Sequence, residues 1–205
     1  MENLNQIAIL SGLWICWCTM HSLLIARRTV SGMKNILGER FAYYRLYYNL
    51  FSLITLIPLL IYHSGIQEKV YFDWPGFWLL LKLAMYFAAF ILFYGGYRVY
   101  DLQHVLGLKQ IREFVAAGKK SKSMPFKTRG ILEYVRHPWY TGGILLVWGF
   151  GDITDVSLVL KVILSAYFII GTILEERKLV AEIGEPYREY CQRVPMLIPW
   201  KRVNF

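Results

Sequence analysis

The sequence predicts an all-α polytopic membrane protein: about five transmembrane helices, the last two forming a hairpin, plus cytoplasmic interfacial and C-terminal helices. Three observations predict it. Of the 205 residues, 56% are apolar and 17% aromatic, and mean hydropathy is positive, which is too oily for an ordinary soluble domain. Long stretches are almost free of charge, and about 20 apolar residues at ~1.5 Å rise cross a hydrocarbon core of about 30 Å. Finally, of the 23 Lys and Arg all but Lys69, Lys82 and Lys161 fall within residues 27–45, 98–136 and 177–202.

Residues 7–25 form the first apolar run. Residues 1–6 carry no Lys or Arg and no small-residue cleavage site follows the run, so a retained helix is expected rather than a signal peptide. The second run is 46–62 and the third 75–97, where Lys82 lies near one end and can snorkel to the interface. "RVYDLQHVLGLKQIREFV" (98–115) reads as an interfacial helix, its apolar residues alternating with Asp101, His104, Lys109 and Arg112. "AAGKKSKSMPFKTR" (116–129) reads as a solvated connection. Residues 139–174 are too long for one helix and, broken at "GFGDITD" (149–155), suit a hairpin whose first arm is unusually short. Glu182, Gly184 and Pro186 then end one helix and start another, on which Tyr187 and Tyr190 share a face. The expected organisation is one integral-membrane domain over 1–205, with three N-terminal helices in 7–97, a cytoplasmic connection in 98–136, and the hairpin and tail in 137–205.

The positive-inside rule places the basic segments in the cytoplasm and the N-terminus outside. Basic residues beside membrane ends account for the net charge of +9, and no recognition motif accompanies them, so the expected partner is the lipid bilayer and not nucleic acid. Cys16 and Cys18 lie on different faces of the first helix and Cys191 in the tail, a spacing that gives neither a disulfide framework nor a metal site. The sequence holds no inverted repeat for alternating access, no Gly-rich phosphate loop and no paired histidines at zinc spacing.

Chemistry concentrates where polar residues meet membrane ends. In "YVRHPWYTGGILLVWGF" (134–150), Pro138 removes a backbone donor and disfavours helix at His137, so the chain breaks there. Broken backbone at membrane depth is tolerated where it lines a cavity or is buried in protein. Gly142 and Gly143 allow close approach by a ligand or a neighbouring helix. Glu175 and Glu176 stand where a later apolar helix leaves the membrane, so two acids face Arg136 and His137. Carboxylates, an imidazole and aromatic rings suit a cationic, partly aromatic ligand; they equally suit an interfacial anchor and charge network.

"RHPWYTGGILLVWG" followed by "LEERKLVAEIGEPYREYCQRVPMLIPW" resembles the C-terminal signature of integral-membrane methyltransferases of the isoprenylcysteine carboxyl methyltransferase and phospholipid methyltransferase superfamily. "HSLLIARR" (21–28), "LGLKQI" (106–111) and "VPMLIPW" are similar to the branch holding methanethiol S-methyltransferase and NnrU-type proteins, which implies a bacterial inner membrane. The resemblance implies S-adenosylmethionine as cofactor. His137, Pro138, Tyr140 and Gly142 would line its pocket, Glu175 or Glu176 would hold its amino group or orient the site, and Tyr187 and Tyr190 would help close it. The acceptor would be a small lipophilic molecule, a thiol favoured over an isoprenylcysteine carboxylate or a phospholipid. His137 is a candidate proton acceptor, and Arg136, Arg177 and Arg193 are candidates for stabilising an anion. His21, Tyr48 and Asn49, near the cytoplasmic ends of their helices, are candidates for meeting the acceptor. The NnrU likeness implies a different role, a membrane accessory protein for respiratory enzymes. No metal is expected. The topology is checked by a reporter fused at Thr154, expected to be inaccessible from the cytoplasm; a cytoplasmic signal there overturns it.

Overall fold

Four helices among the described residues are long and apolar enough to cross a membrane: Asn3–Ile25, Arg27–Ser64, Trp78–Val99 and Asp155–Ile183. The chain is an all-α polytopic membrane protein, with one short strand pair among the described residues. The computed structural model describes residues 2–116 and 128–198. Most of the expected solvated connection (117–127), Pro199, Trp200, Lys201 and Arg202 lie outside the described residues.

The chain forms two units. The first takes the chain up to Gln67 and the segment from Asp101. Its α1 (Glu2–Ile25) ends at Ala26, whose extended backbone (ψ 143°) turns the chain into α2 (Arg27–Leu37). A 3₁₀ turn over Gly38–Tyr43 leads to α3 (Tyr44–Ser64), with Pro58 inside it. The expected interfacial helix at 98–115 is broken in two. Asp101 caps α5 (Leu102–Leu106) by accepting from the His104 amide at 3.1 Å, and Gly107 separates it from α6 (Leu108–Val115). Gly107 lies at φ +88°, and a Cβ there would stand 2.8 Å from the Leu46 backbone nitrogen. Conformation and space both demand glycine.

The second unit takes Glu68–Tyr100 and the chain from residue 125 onward. Strands β1 (Val70–Phe72) and β2 (Ile153–Thr154) pair antiparallel and tie the approach to α4 (Trp78–Val99) to the hairpin tip. The hairpin arms are α7 (Pro138–Gly149) and α8 (Asp155–Ile183), broken where the sequence indicated; α9 (Glu185–Arg193) follows. With 12 residues α7 is about 18 Å long, shorter than a hydrocarbon core.

Both ends of α7 have identifiable stops. Pro138 sets the start. At the other end the buried Lys161 donates to the carbonyls of Val147 (2.8 Å) and Phe150 (2.7 Å), and the Tyr86 hydroxyl donates to Gly149 (2.8 Å). Helix α8 begins with a reciprocal cap: Thr154 Oγ1 accepts from the Ser157 amide and Ser157 Oγ from the Thr154 amide, each at 2.8 Å.

Rings seated on glycines hold α7 to its neighbours. A Cβ at Gly96 would lie 2.2 Å from Trp139 Nε1, one at Gly142 3.2 Å from Phe93, and one at Gly143 2.9 Å from Phe168. Replacing Gly96 by alanine is therefore expected to push the Trp139 indole off the Phe93 carbonyl that it contacts at 3.1 Å, lowering stability by about 1–3 kcal/mol. Thermal unfolding in detergent measures this, with Gly12→Ala, which meets nothing within 4 Å, as the neutral control.

Candidate functional site

Pro138 leaves His137 as the N-cap of α7 at φ −124°, ψ 66°, outside helical geometry. The tail takes up the amides freed by that break. Arg136 N donates to Pro195 O at 3.0 Å and His137 N to Met196 O at 3.2 Å, while Thr141 Oγ1 donates to Leu197 O at 2.7 Å. Residues 195–197 are thereby strapped across the start of α7.

The Arg136 guanidinium closes the same junction. Nε and Nη2 grip Glu176 as a fork at 2.5 and 3.0 Å, and Nη1 donates to the carbonyls of Cys191 (2.8 Å) and Val194. Burial works against the cation, yet the bond and charge of Glu176 outweigh it and hold the Arg136 pKa above its ordinary value. With these donors committed to Glu176 and the tail, Arg136 acts within the structure as a clamp.

His137 is 4% exposed and lies between the two acids, with Nε2 3.1 Å from Glu176 Oε1 and Nδ1 3.8 Å from Glu175 Oε2. An ionised carboxylate only accepts, so Nε2 is the donor to Glu176, and Nδ1 faces Glu175. The acids differ in their company. Glu176 is enclosed by Arg136 and His137, whereas the Glu175 side chain is 42% exposed. Glu175 acts electrostatically on both Tyr140 and Tyr100. Burial, reinforced by Glu175, pushes the Tyr100 hydroxyl well above the usual phenol range. The Tyr140 ring meets His137 edge-on at 5.7 Å.

Tyr187 and Tyr190 face inward. With Val194 they form a buried cluster packed by Leu179, Val180 and Ile183, and the Tyr190 hydroxyl donates to Leu132 O at 2.6 Å. Burial raises both phenols well above their ordinary range, so they stay protonated. Pro138 is buried beside His137, and buried Gly142 seats Phe93. Arg177 and Arg193 are exposed. Sequence reasoning missed Tyr100 and Thr141. The available signal for Tyr100 was the Gly95-Gly96 pair, a close-approach point one turn before it on the third apolar run.

His21, Tyr48 and Asn49 belong to the first unit. There His21 contacts the Tyr48 hydroxyl through Nε2 and Ser52 Oγ through Nδ1 at 3.1 Å, and its ring stacks on Trp17 at 5.1 Å. Asn49 Nδ2 donates to the carbonyls of Val105 (3.2 Å) and Leu106 (3.3 Å), capping the end of α5. Among the described residues no group of three His, Cys, Asp or Glu is arranged to hold a metal ion.

The family model described as NnrU protein matches residues 9–195. Methanethiol S-methyltransferase 1 of Bradyrhizobium diazoefficiens is 35% identical over 116 residues, covering 57% of this chain and 40% of that protein. Methanethiol S-methyltransferase of Crocosphaera subtropica is 38% identical over 96 residues, 47% of this chain and 37% of the relative. Protein-S-isoprenylcysteine O-methyltransferase of Schizosaccharomyces pombe is 32% identical over 90 residues, 42% of this chain and 37% of the relative. The matches thus span about two fifths of each relative's length. No solved structure matches.

Arg136→Gln leaves Glu176 without its fork and frees two tail carbonyls. Breaking a buried pair on one side costs about 3–5 kcal/mol. The tail from Cys191 onward is expected to become the first site of protease cleavage, read by limited proteolysis and mass spectrometry. Tyr190→Phe, losing one hydrogen bond, is expected to cost about 1 kcal/mol.

Proposed function

The chain belongs to the NnrU protein family, and from that membership and the cluster around Glu175 we propose that it transfers a methyl group from S-adenosylmethionine to a small lipophilic acceptor, a thiol such as methanethiol being favoured. The reaction would take place at the cytoplasmic face of a bacterial inner membrane. The carrying observation is one half-open carboxylate in aromatic company: Glu175, 3.8 Å from His137 and electrostatically linked to Tyr140 and Tyr100. A carboxylate beside aromatic rings fits a ligand that bears an ammonium, a sulfonium and a purine. The names of the methanethiol and isoprenylcysteine methyltransferase relatives support the same reading.

When bound, S-adenosylmethionine supplies a methyl group on a positively charged sulfur, which keeps the electron pair of the carbon–sulfur bond that breaks. Glu175 would hold the ammonium, while Tyr140, Tyr100 and Pro138 would shape the pocket wall. His137 Nδ1 would take the proton of the acceptor thiol as its sulfur becomes the nucleophile. A thiol has an ordinary pKa near 8.5 and is only a few per cent thiolate at neutral pH, so a positioned base matters. Glu176 stabilises the imidazolium that forms and fixes its orientation. The Arg136 clamp and the Tyr187–Tyr190 cluster hold the tail over the site, which keeps water out and the reacting atoms in line.

A membrane accessory role is the second reading. Its supporting observation is that Arg136 spends its donors on Glu176 and the tail carbonyls, a structural use of the charged pair. Calorimetric titration of the purified protein with S-adenosylmethionine and S-adenosylhomocysteine separates the two. Micromolar binding is expected, weakened about tenfold or more by Glu175→Gln and by Tyr140→Phe. Labelled methyl transfer to sulfide, methanethiol, a prenylated cysteine and phosphatidylethanolamine then ranks the acceptors. Folded protein that binds neither compound and labels no acceptor sinks the enzyme reading.

A further inference from the structure

We propose that Phe168 is the specificity-determining residue that limits the acceptor to short-chain molecules by plugging the seam between α7 and α8 directly below the Glu175 cluster; this rests on the methyl-transfer reading. Phe168 lies one heptad before Glu175 on α8, about 10 Å deeper at ~1.5 Å per residue. A longer acceptor would lay its alkyl tail in the α7–α8 seam, which runs from the Glu175–Tyr140 cluster along the apolar length of α8. Gly143 on α7 and Gly171 on α8 would leave a groove there. Instead each of the two is covered by a ring. Phe168 stands so close to Gly143 that an added Cβ would meet its Cζ at 2.9 Å, and Tyr140 covers Gly171 at 3.4 Å.

Tyr140 has another engagement, since it belongs to the donor cluster through Glu175. Phe168 takes no part in holding donor or proton. Its ring meets Tyr140 edge-on at 6.1 Å (77°), and its backbone carbonyl accepts from Thr172 Oγ1 at 2.7 Å. Gly143 on one side and Tyr140 on the other set the position of the ring, which forms the floor beneath Tyr140. A methyl group fits above that floor; a long chain must displace it.

The experiment compares wild type, Phe168→Ala and Phe168→Leu as purified full chains, with methanethiol, butanethiol and octanethiol as acceptors and thioether products quantified by gas chromatography. In wild type kcat/KM is expected to fall steeply with chain length. Phe168→Ala is expected to raise the octanethiol-to-methanethiol ratio by about tenfold or more, with Phe168→Leu intermediate. A second readout is equilibrium binding of octyl methyl sulfide in the presence of S-adenosylhomocysteine, which should tighten in the same order while S-adenosylhomocysteine affinity stays unchanged. General damage would lower all three thiols in parallel, so a ratio that stays flat in variants binding S-adenosylhomocysteine normally overturns the plug and leaves methyl transfer standing. Wild type that accepts octanethiol as well as methanethiol overturns it too. Folded wild type that binds no S-adenosylhomocysteine and labels no thiol overturns the methyl-transfer reading and the plug together. If Phe168→Ala fails to fold, Phe168→Leu carries the comparison.

Discussion

The Arg136–Glu176 fork is the interaction on which the second unit's functional end depends. One guanidinium joins the chain break before α7, the emerging end of α8 and the carbonyls of the tail. Two charges removed from water are costly unless every donor and acceptor finds a partner, and here both oxygens of Glu176 do. The neighbouring His137 inherits its orientation from the same carboxylate. Glu175, one residue earlier on α8, is left outside the fork. The helix thus presents one acid that is spent on structure and one that is half exposed.

Packing around α7 follows a different rule. In a bilayer lipid is as apolar as leucine, so helices associate through close contact more than through escape from water. Glycine on one helix and an aromatic ring on the next provide that contact: Trp139 on Gly96, Phe93 on Gly142, Phe168 on Gly143, Tyr140 on Gly171. The arrangement alternates in direction, α7 offering rings at Trp139 and Tyr140 and seats at Gly142 and Gly143. Gly96 and Gly143 leave no room for a Cβ beneath their rings, and Gly142 leaves little, so the geometry around Glu175 and His137 is held by shape as well as charge.

Much of this was legible in the sequence, and what escaped it escaped for physical reasons. Spans show in apolar runs because the bilayer imposes a length, and the break at Pro138 shows because proline lacks a donor. The short first arm was legible from the break at 149–155, and the paired acids from their place at the end of an apolar run. The split of the interfacial helix at Gly107 was not, because the demand for glycine there comes from Leu46, sixty positions away in the chain. Nor could sequence divide the work of Glu175 and Glu176, since adjacent residues on a helix point 100° apart and only the partners decide which one is enclosed. The role of Asn49 as a cap on α5 was hidden in the same way, its partners being backbone carbonyls that carry no sequence signal.

Lys161 gives α7 an electrical polarity beyond its mechanical stop. A helix carries about half a positive charge at its N-terminus and half a negative charge at its C-terminus, each acting mainly within its own terminal turn. Here the ammonium sits on the last carbonyls, at 2.8 Å from Val147 and 2.7 Å from Phe150, and neutralises the negative pole. The positive pole is left unopposed about 18 Å away, at His137 and Pro138. Twelve residues in a low-dielectric surrounding thereby become a one-ended electrode, whose field favours negative charge at the site by roughly 0.3–1 kcal/mol, and up to about 2 kcal/mol where the charge is partly buried.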